Sequence, residues 1–282
     1  MKKILVPTDF SPNATRAIDY AVQIAKLNKG TIWLVNSCEH LDTFSLEAGL
    51  PKAEYNKVMA DKAYAELELI QKSIMDTELV EVKIQLYSGP IVDTIVVAAE
   101  ELQAELVIMG NLGITGLRER IFGTNTAAVI SNSKIPVLAI PLEYDWSMPR
   151  KFLLAINNFN EVSDIVHPVF DLAGVFRAEV KVVVFTDEDN AEATDFLQDE
   201  KGIQEAEEKL KIKYPNLIIS AEHLSGRDFE NSINNYIAEN KIDLLAMTTH
   251  KRSFIGNLFN RSITRKMSYH AKVPLLSIPV NK

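Results

Sequence analysis

At 282 residues the chain is long enough for two domains of ordinary size, and 47% hydrophobic with 24% charged residues excludes a disordered or linker-rich chain. A net charge of −8 argues against broad nucleic-acid binding, which needs a basic footprint to displace phosphate counterions, and no apolar run approaches the ~20 residues that cross a bilayer. One cysteine, Cys38, allows no internal disulfide, and the two lysines and few apolar residues before Pro7 are unlike a signal peptide, so we expect a soluble cytoplasmic protein with neither membrane nor nucleic-acid partners.

In chain order, residues 3–6 form an apolar run stopped by Pro7, which reads as a buried strand. Ser11-Pro12-Asn13 is a helix start, followed by Ala14, Ala17, Ile18, Ala21, Val22 and Ala25 at helical spacing, with Gly30 as the stop. A strand over 31–35, a long charged helix over 52–75 and an alternating strand over 80–86 come next. Ser88-Gly89-Pro90 marks a turn before a helix over 91–102. The strand 105–109 leads into a glycine-containing stretch from Gly110 to Gly123, then a short helix over 124–131 and a last strand over 135–140. Near-continuous apolar strands alternating with helices predict a parallel sheet covered on both faces, a doubly wound domain of flavodoxin size.

The pattern then restarts. Residues 3–36 align with 151–184 at an offset of 148, and residues 105–141 align with 243–279 at an offset of 138, with eight identities that include Met109/Met247, Pro136/Pro274 and Pro141/Pro279. Strands are predicted at 151–156, 178–185, 217–221, 243–247 and 273–278, and a long helix at 191–214. The fold expected is α/β, with two tandem doubly wound five-stranded parallel sheets, Rossmann-like in kind. The boundaries are 1–143 for the first domain, 144–150 for the linker and 151–282 for the second domain.

Two features carry chemistry. Gly110-Asn-Leu-Gly113, nine residues, then Gly123-Thr124 lie between a strand and a helix start. Glycines let main-chain N–H groups approach an anion closely, and the helix start adds orphan donors and the positive end of its dipole. Thr124 and Thr126 add hydroxyls. This is neither a Walker A loop nor the dinucleotide GxGxxG spacing, and an ordinary loop with a capping threonine shares it. Asp9 follows the first strand, where ligands of doubly wound sheets bind and where a carboxylate can accept from a ribose or base, or cap a turn.

On these residues the chain resembles a tandem universal stress protein. Met109-Gly110-x2-Gly113-x9-Gly123-Thr124 is similar to the nucleotide motif of the family's ATP-binding branch, and Val6-Pro7-Thr8-Asp9-Phe10-Ser11 to its opening strand and turn. The resemblance implies ATP, with Mg²⁺, in the first domain. Asp9 and main-chain groups at Pro7 and Thr8 would meet the adenosine. Asn36, where the family usually has valine, would lie against adenine. Met109 and Gly110 would border the ribose and phosphates, and Gly113, Gly123, Thr124, Asn125 and Thr126 would hold the phosphates. It also implies pairing of domains through their final strands and a possible homodimer. A stress-response regulator with little or no hydrolysis is the function expected, against a slow ATPase or a scaffold that binds no nucleotide.

The second copy departs from the motif. The offsets place Thr248 at Gly110, Lys251 at Gly113, Arg261 at Gly123, Ser262 at Thr124 and Asn157 at Asp9, so no ATP is expected there. His250, Lys251, Arg252, Arg261 and Arg265 form a basic cluster instead, read as a solvated loop in preference to an anion site. Arg118 and Arg120 read as loop solvation in preference to phosphate contacts. Cys38 shows no partner that would activate it, and the five histidines show no metal-ligand spacing.

Overall fold

The computed structural model describes residues 1–38, 52–111, 124–156, 164–188, 193–249 and 273–280. The chain forms two compact units, one ending at Leu142 and one beginning at Glu143.

In the first unit β1 (Lys3–Pro7), β2 (Thr31–Cys38), β3 (Glu81–Ser88), β4 (Leu106–Gly110) and β5 (Val137–Ile140) pair in the order β3-β2-β1-β4-β5, all parallel. Helices α1 (Pro12–Asn28), α2 (Lys52–Glu78), α3 (Ile91–Glu101) and α4 (Thr124–Asn132) connect them. Ile4, Leu5, Val6, Leu106, Val107, Ile108 and Leu138 are each fully buried, as side chains alternating to both faces of a covered sheet must be.

Each helix starts for a local reason. Ser11 caps α1, its hydroxyl accepting the N–H of Ala14, and Pro12 supplies a preset φ at the first turn. The helix ends one residue earlier than the sequence suggests, on Lys29 in the left-handed region at φ 56°. Gly30 serves the next contact instead: a Cβ there would stand 3.0 Å from the carbonyl of Lys2 and 2.7 Å from Asn28 Oδ1.

In the second unit β6 (Lys151–Ile156), β7 (Glu179–Asp187), β8 (Ile219–Gly226), β9 (Leu244–Thr249) and β10 (Leu275–Pro279) pair in the order β10-β9-β6-β7-β8, again parallel. A 3-10 turn over Asp164–Val166 leads into α5 (His167–Phe176), followed later by α6 (Ala193–Lys213) and α7 (Phe229–Asn240). The strand expected at 217–221 is displaced to Ile219–Gly226. Leu217 donates its N–H to the carbonyl of Tyr214 in the preceding turn. The polar residues Glu222, His223 and Ser225, which hide the strand in the sequence, lie on a strand at the edge of its sheet.

The internal repeat holds to the register. Lys3 faces Thr31 and Ile4 faces Leu106; Lys151 faces Glu179 and Phe152 faces Leu244. Left-handed residues at the helix ends repeat as well, at Lys29 and Arg177 and at Gln103 and Lys241. Both offsets therefore describe structural equivalents in the described residues.

Candidate functional site

The strand order of the first unit makes β1 and β4 neighbours although two strands intervene in the chain. The chain leaves β1 toward β2 on one side and leaves β4 toward β5 on the other, so a crevice opens at the carboxyl ends of β1 and β4. Pro7 ends β1, Gly110 ends β4, and Thr124 begins the helix that follows β4.

The turn after β1 is built by its own side chains. Thr8 Oγ1 accepts the N–H of Phe10 at 3.1 Å, and Asp9 Oδ1 accepts the N–H of Ser11 at 3.0 Å. These bonds hold Phe10 at φ 62°, a left-handed conformation uncommon for a bulky residue. Asp9 thus caps the turn with one oxygen, and Oδ2 has no partner among the described residues. The carboxylate is half-buried and fixed in place.

Thr8 is buried and its main chain is tied to β2 on both sides of the residue. Its N–H donates to the carbonyl of Val35 at 2.9 Å, and its carbonyl accepts Asn36 Nδ2 at 2.8 Å. Asn36 Oδ1 accepts the thiol of Cys38 at 3.6 Å. Burial pushes the Cys38 thiol above its ordinary pKa, which disfavours the thiolate.

Gly110 owes its identity to packing. A Cβ at that position would fall 2.3 Å from Asn13 Nδ2 and 2.8 Å from the carbonyl oxygen of Asn13, a buried residue in the first turn of α1. Thr126, buried in the first turn of α4, donates its hydroxyl to the carbonyl of Gly110 at 2.8 Å, and Asn111 N–H donates to the carbonyl of Ile140 at 2.9 Å. The Thr126 hydroxyl therefore ties α4 to the end of β4. Met109 is buried beside Gly110, and Asn125 is exposed.

The structure thus brings Pro7, Thr8, Asp9, Asn36, Met109, Gly110 and the start of α4 to one end of one sheet. Gly113 and Gly123 lie outside the described residues, as do Arg118, Arg120, Asn157, His250, Lys251, Arg252, Arg261, Ser262 and Arg265. Asn13 and Ser11 belong to the site's frame, whereas the sequence marks them only as a helix start and, for Ser11, part of the opening turn. An asparagine directly after a proline at a helix start, on the side that continues as Ala17 and Ala21, is the signal that marks Asn13.

At the equivalent end of the second unit, Thr248 pairs with Ile278 as Gly110 pairs with Ile140. Thr248, Thr249 and Ser277 are buried there. Thr249 Oγ1 donates to the carbonyl of Ile278 at 3.1 Å, and Ser277 Oγ donates to Thr249 Oγ1 at 3.2 Å. The hydroxyls of Thr249 and Ser277 are occupied with one another and with the main chain. Among the described residues no group of three or more His, Cys, Asp or Glu side chains is placed to hold a metal ion, and no helix is long and apolar enough to cross a membrane.

The chain matches the Universal stress protein family over residues 1–141 and again over residues 148–279. It is 32% identical over 153 residues to universal stress protein MJ0577 of Methanocaldococcus jannaschii, spanning 49% of this chain and 94% of that protein. It is 27% identical over 139 residues to universal stress protein MJ0531 of the same organism, spanning 49% of this chain and 81% of that protein. The crystal structure of a universal stress protein from Archaeoglobus fulgidus covers 99% of this chain and 97% of its own with a TM-score of 0.71 at 18% identity, a likeness of fold. Two matches in tandem, one on each doubly wound unit, show that the chain belongs to the universal stress protein family.

Proposed function

We propose that the N-terminal unit binds ATP in the crevice at the carboxyl ends of β1 and β4. The protein would then act as a stress-response regulator whose nucleotide state, more than turnover, carries the signal. The observation that supports this most is the carboxylate of Asp9, fixed at the switch point by one oxygen and with the other uncommitted among the described residues. A ribose diol donates to such a carboxylate, and the main chain at Pro7 and Thr8 borders the same space.

The residues present suit the group. Main-chain N–H groups at Thr124, Asn125 and Thr126, at the start of a nine-residue helix, offer orphan donors and a positive dipole end to phosphate oxygens. Because the hydroxyl of Thr126 is given to Gly110, its share would come through its N–H. Met109 and Gly110 would border the ribose, and Gly113 and Gly123 would complete the cradle. Mg²⁺ would ride on the phosphates and neutralise their charge. Among the described residues Asp9, at the ribose end, is the one general-base candidate near this crevice, and it would be remote from a terminal phosphate, so hydrolysis is slow or absent in this reading.

The C-terminal unit, 151–282 after a linker over 144–150, is in this reading the copy without nucleotide. Its Thr248 stands where the first unit needs glycine. Pairing of final strands and a homodimer remain part of the proposal, and light scattering of the full chain with and without ATP tests the homodimer. The nucleotide site is tested by denaturing freshly purified protein, identifying any released nucleotide, and titrating ATP into wild type and Gly113→Lys. Loss of binding in Gly113→Lys is expected. Equal affinity in the two proteins sinks the site, and no binding to wild type at millimolar ATP favours the scaffold.

A further inference from the structure

We propose that Gln71 and Glu207 guard the outer sheet edges: each occupies a ladder position on the edge strand of its unit and so keeps a second copy of this chain from adding a strand there. β3 ends the first sheet on one side, and β8 ends the second. An unpaired edge is a template for another chain, because ladder bonds run through the main chain and ignore side-chain identity. A second copy is the occupant to exclude, since it brings an edge of the same length and twist wherever the protein is concentrated.

Which main-chain groups face out follows from the register. The N–H of Val180 donates to the carbonyl of Ile218 at 2.9 Å, and Val180 faces Ile219. Successive residues in a parallel ladder turn their main-chain groups to opposite sides, so Ile218 and Ser220 address β7 while Ile219 and Ala221 address the open edge. Ile32 faces Val82 as Val180 faces Ile219, and the offset of 148 equates Ile32 with Val180. Val82 and Ile84 therefore address the open edge of β3. One residue of an incoming parallel strand would bond the carbonyl of Ile219 and the N–H of Ala221, or in the first unit the carbonyl of Val82 and the N–H of Ile84. An antiparallel strand, as in a symmetric pair, would need both main-chain groups of Val82 or of Ala221.

Both positions are taken. Gln71, on α2, which packs on β3, donates Nε2 to the carbonyl of Val82 at 2.7 Å. Glu207, on α6, which packs on β8, accepts the N–H of Ala221 on Oε2 at 2.8 Å. The Lys211 ammonium on Oε1 and this N–H hold the Glu207 carboxyl below its ordinary value, so it is an ionised acceptor near neutral pH. The two units thus fill the same ladder step from opposite halves, an amide on the carbonyl in one and a carboxylate on the N–H in the other. Side chain and target differ together while the step filled is the same, which is what exclusion of a strand requires and packing of a helix does not.

The test compares full-length wild type with Gln71→Ala and Glu207→Ala, alone and together, by light scattering from about 10 µM to about 1 mM. Alanine preserves the helices. Each single variant is expected to reach about twice the wild-type mass as its one opened edge pairs with itself, and the double variant to grow beyond that, because two open edges per chain propagate. Hydrogen exchange of the associated proteins should show new protection over Glu81–Ser88 in Gln71→Ala and over Ile219–Gly226 in Glu207→Ala. Glu207→Gln, which retains an oxygen for Ala221, should keep the wild-type mass. Variants that hold the wild-type mass throughout overturn the proposal. So does association without protection at the named strand, and so does association of Glu207→Gln equal to that of Glu207→Ala. Should the variants not fold, wild type alone decides. Its Ala221 amide is expected to exchange roughly tenfold slower than that of Ile84, the equivalent residue in the unit whose guard sits on the carbonyl, and equal rates overturn the guard on β8.

Discussion

The carboxylate of Asp243 accepts the main-chain N–H of Lys151 at 2.9 Å, tying the residue before β9 to the first residue of β6. The same oxygen takes the N–H of Arg150 at 2.7 Å. The first unit repeats the tie: Glu105 Oε2 accepts the N–H of Lys3 at 3.3 Å and that of Lys2. An acidic residue ahead of the fourth strand thus closes the amino end of the first strand in both units. Asp243→Ala, which leaves two N–H groups without this acceptor, is expected to destabilise the protein by about 1–2 kcal/mol, and Asp243→Asn by less. Urea unfolding with an unchanged m-value checks the difference.

Stability should depend on pH through Glu105. Burial by itself would raise its carboxyl, but the N–H groups of Lys2 and Lys3 and the Met1 ammonium outweigh burial and hold it below its ordinary value of 4.5. A group depressed on folding stabilises the protein fully above its unfolded pKa and loses that contribution as pH falls through the folded one. Wild type should therefore exceed Glu105→Gln in stability at pH 7, with the gap closing in acid below 4.5. Denaturation curves for the two proteins across that range would contradict this if the gap were constant.

Gly110→Ala is expected to cost about 1–3 kcal/mol, because the new Cβ meets Asn13 at side-chain and main-chain atoms together. Truncating Asn13 to alanine in the same chain should recover only part of the loss, since the main-chain oxygen at 2.8 Å remains. A thermal-unfolding double-mutant cycle reads the coupling, and independent effects of the two changes would refute the packing account.

Asp9 caps its turn and, in the proposed function, also meets the ribose, and substitution can separate the two. Asp9→Asn keeps an oxygen for the Ser11 N–H, so stability should stay within about 0.5 kcal/mol while ATP affinity falls roughly tenfold. Asp9→Ala should lose affinity and also about 1 kcal/mol of stability with the turn. Calorimetric titration beside thermal melts distinguishes the two.

Cys38, the single cysteine, should react with a disulfide reagent at pH 7 more slowly than a free thiol, because burial raises its pKa and depletes the thiolate. A rate equal to or above that of free cysteine would count against the buried S–H donor on Asn36.

Much of the fold was legible in the residues. The apolar runs at 3–6 and 151–156 are strands, and the periodic Ala14, Ala17, Ile18, Ala21, Val22 and Ala25 line the buried side of α1. The polar residues of β8 belong to a sheet edge, where alternation stops marking the strand, so the sequence pattern places it at 217–221 instead of Ile219–Gly226. The sequence marks Gly30 as the stop of α1, while Lys29 takes the left-handed cap. The glycine's reason lies across the sheet, at the carbonyl of Lys2.

The sequence by itself determined that two α/β copies follow one another, and that only the first carries the glycine spacing and Asp9. Periodicity and motif spacing are properties of near neighbours in the chain, so they survive without coordinates. Only the tertiary structure decided that β1 and β4 lie side by side. The fit of Gly110 against Asn13, and the Thr8 carbonyl that turns the amide of Asn36, were settled there too. Those relations join residues far apart in sequence, and they exist only once burial of the strands has fixed the order of the sheet.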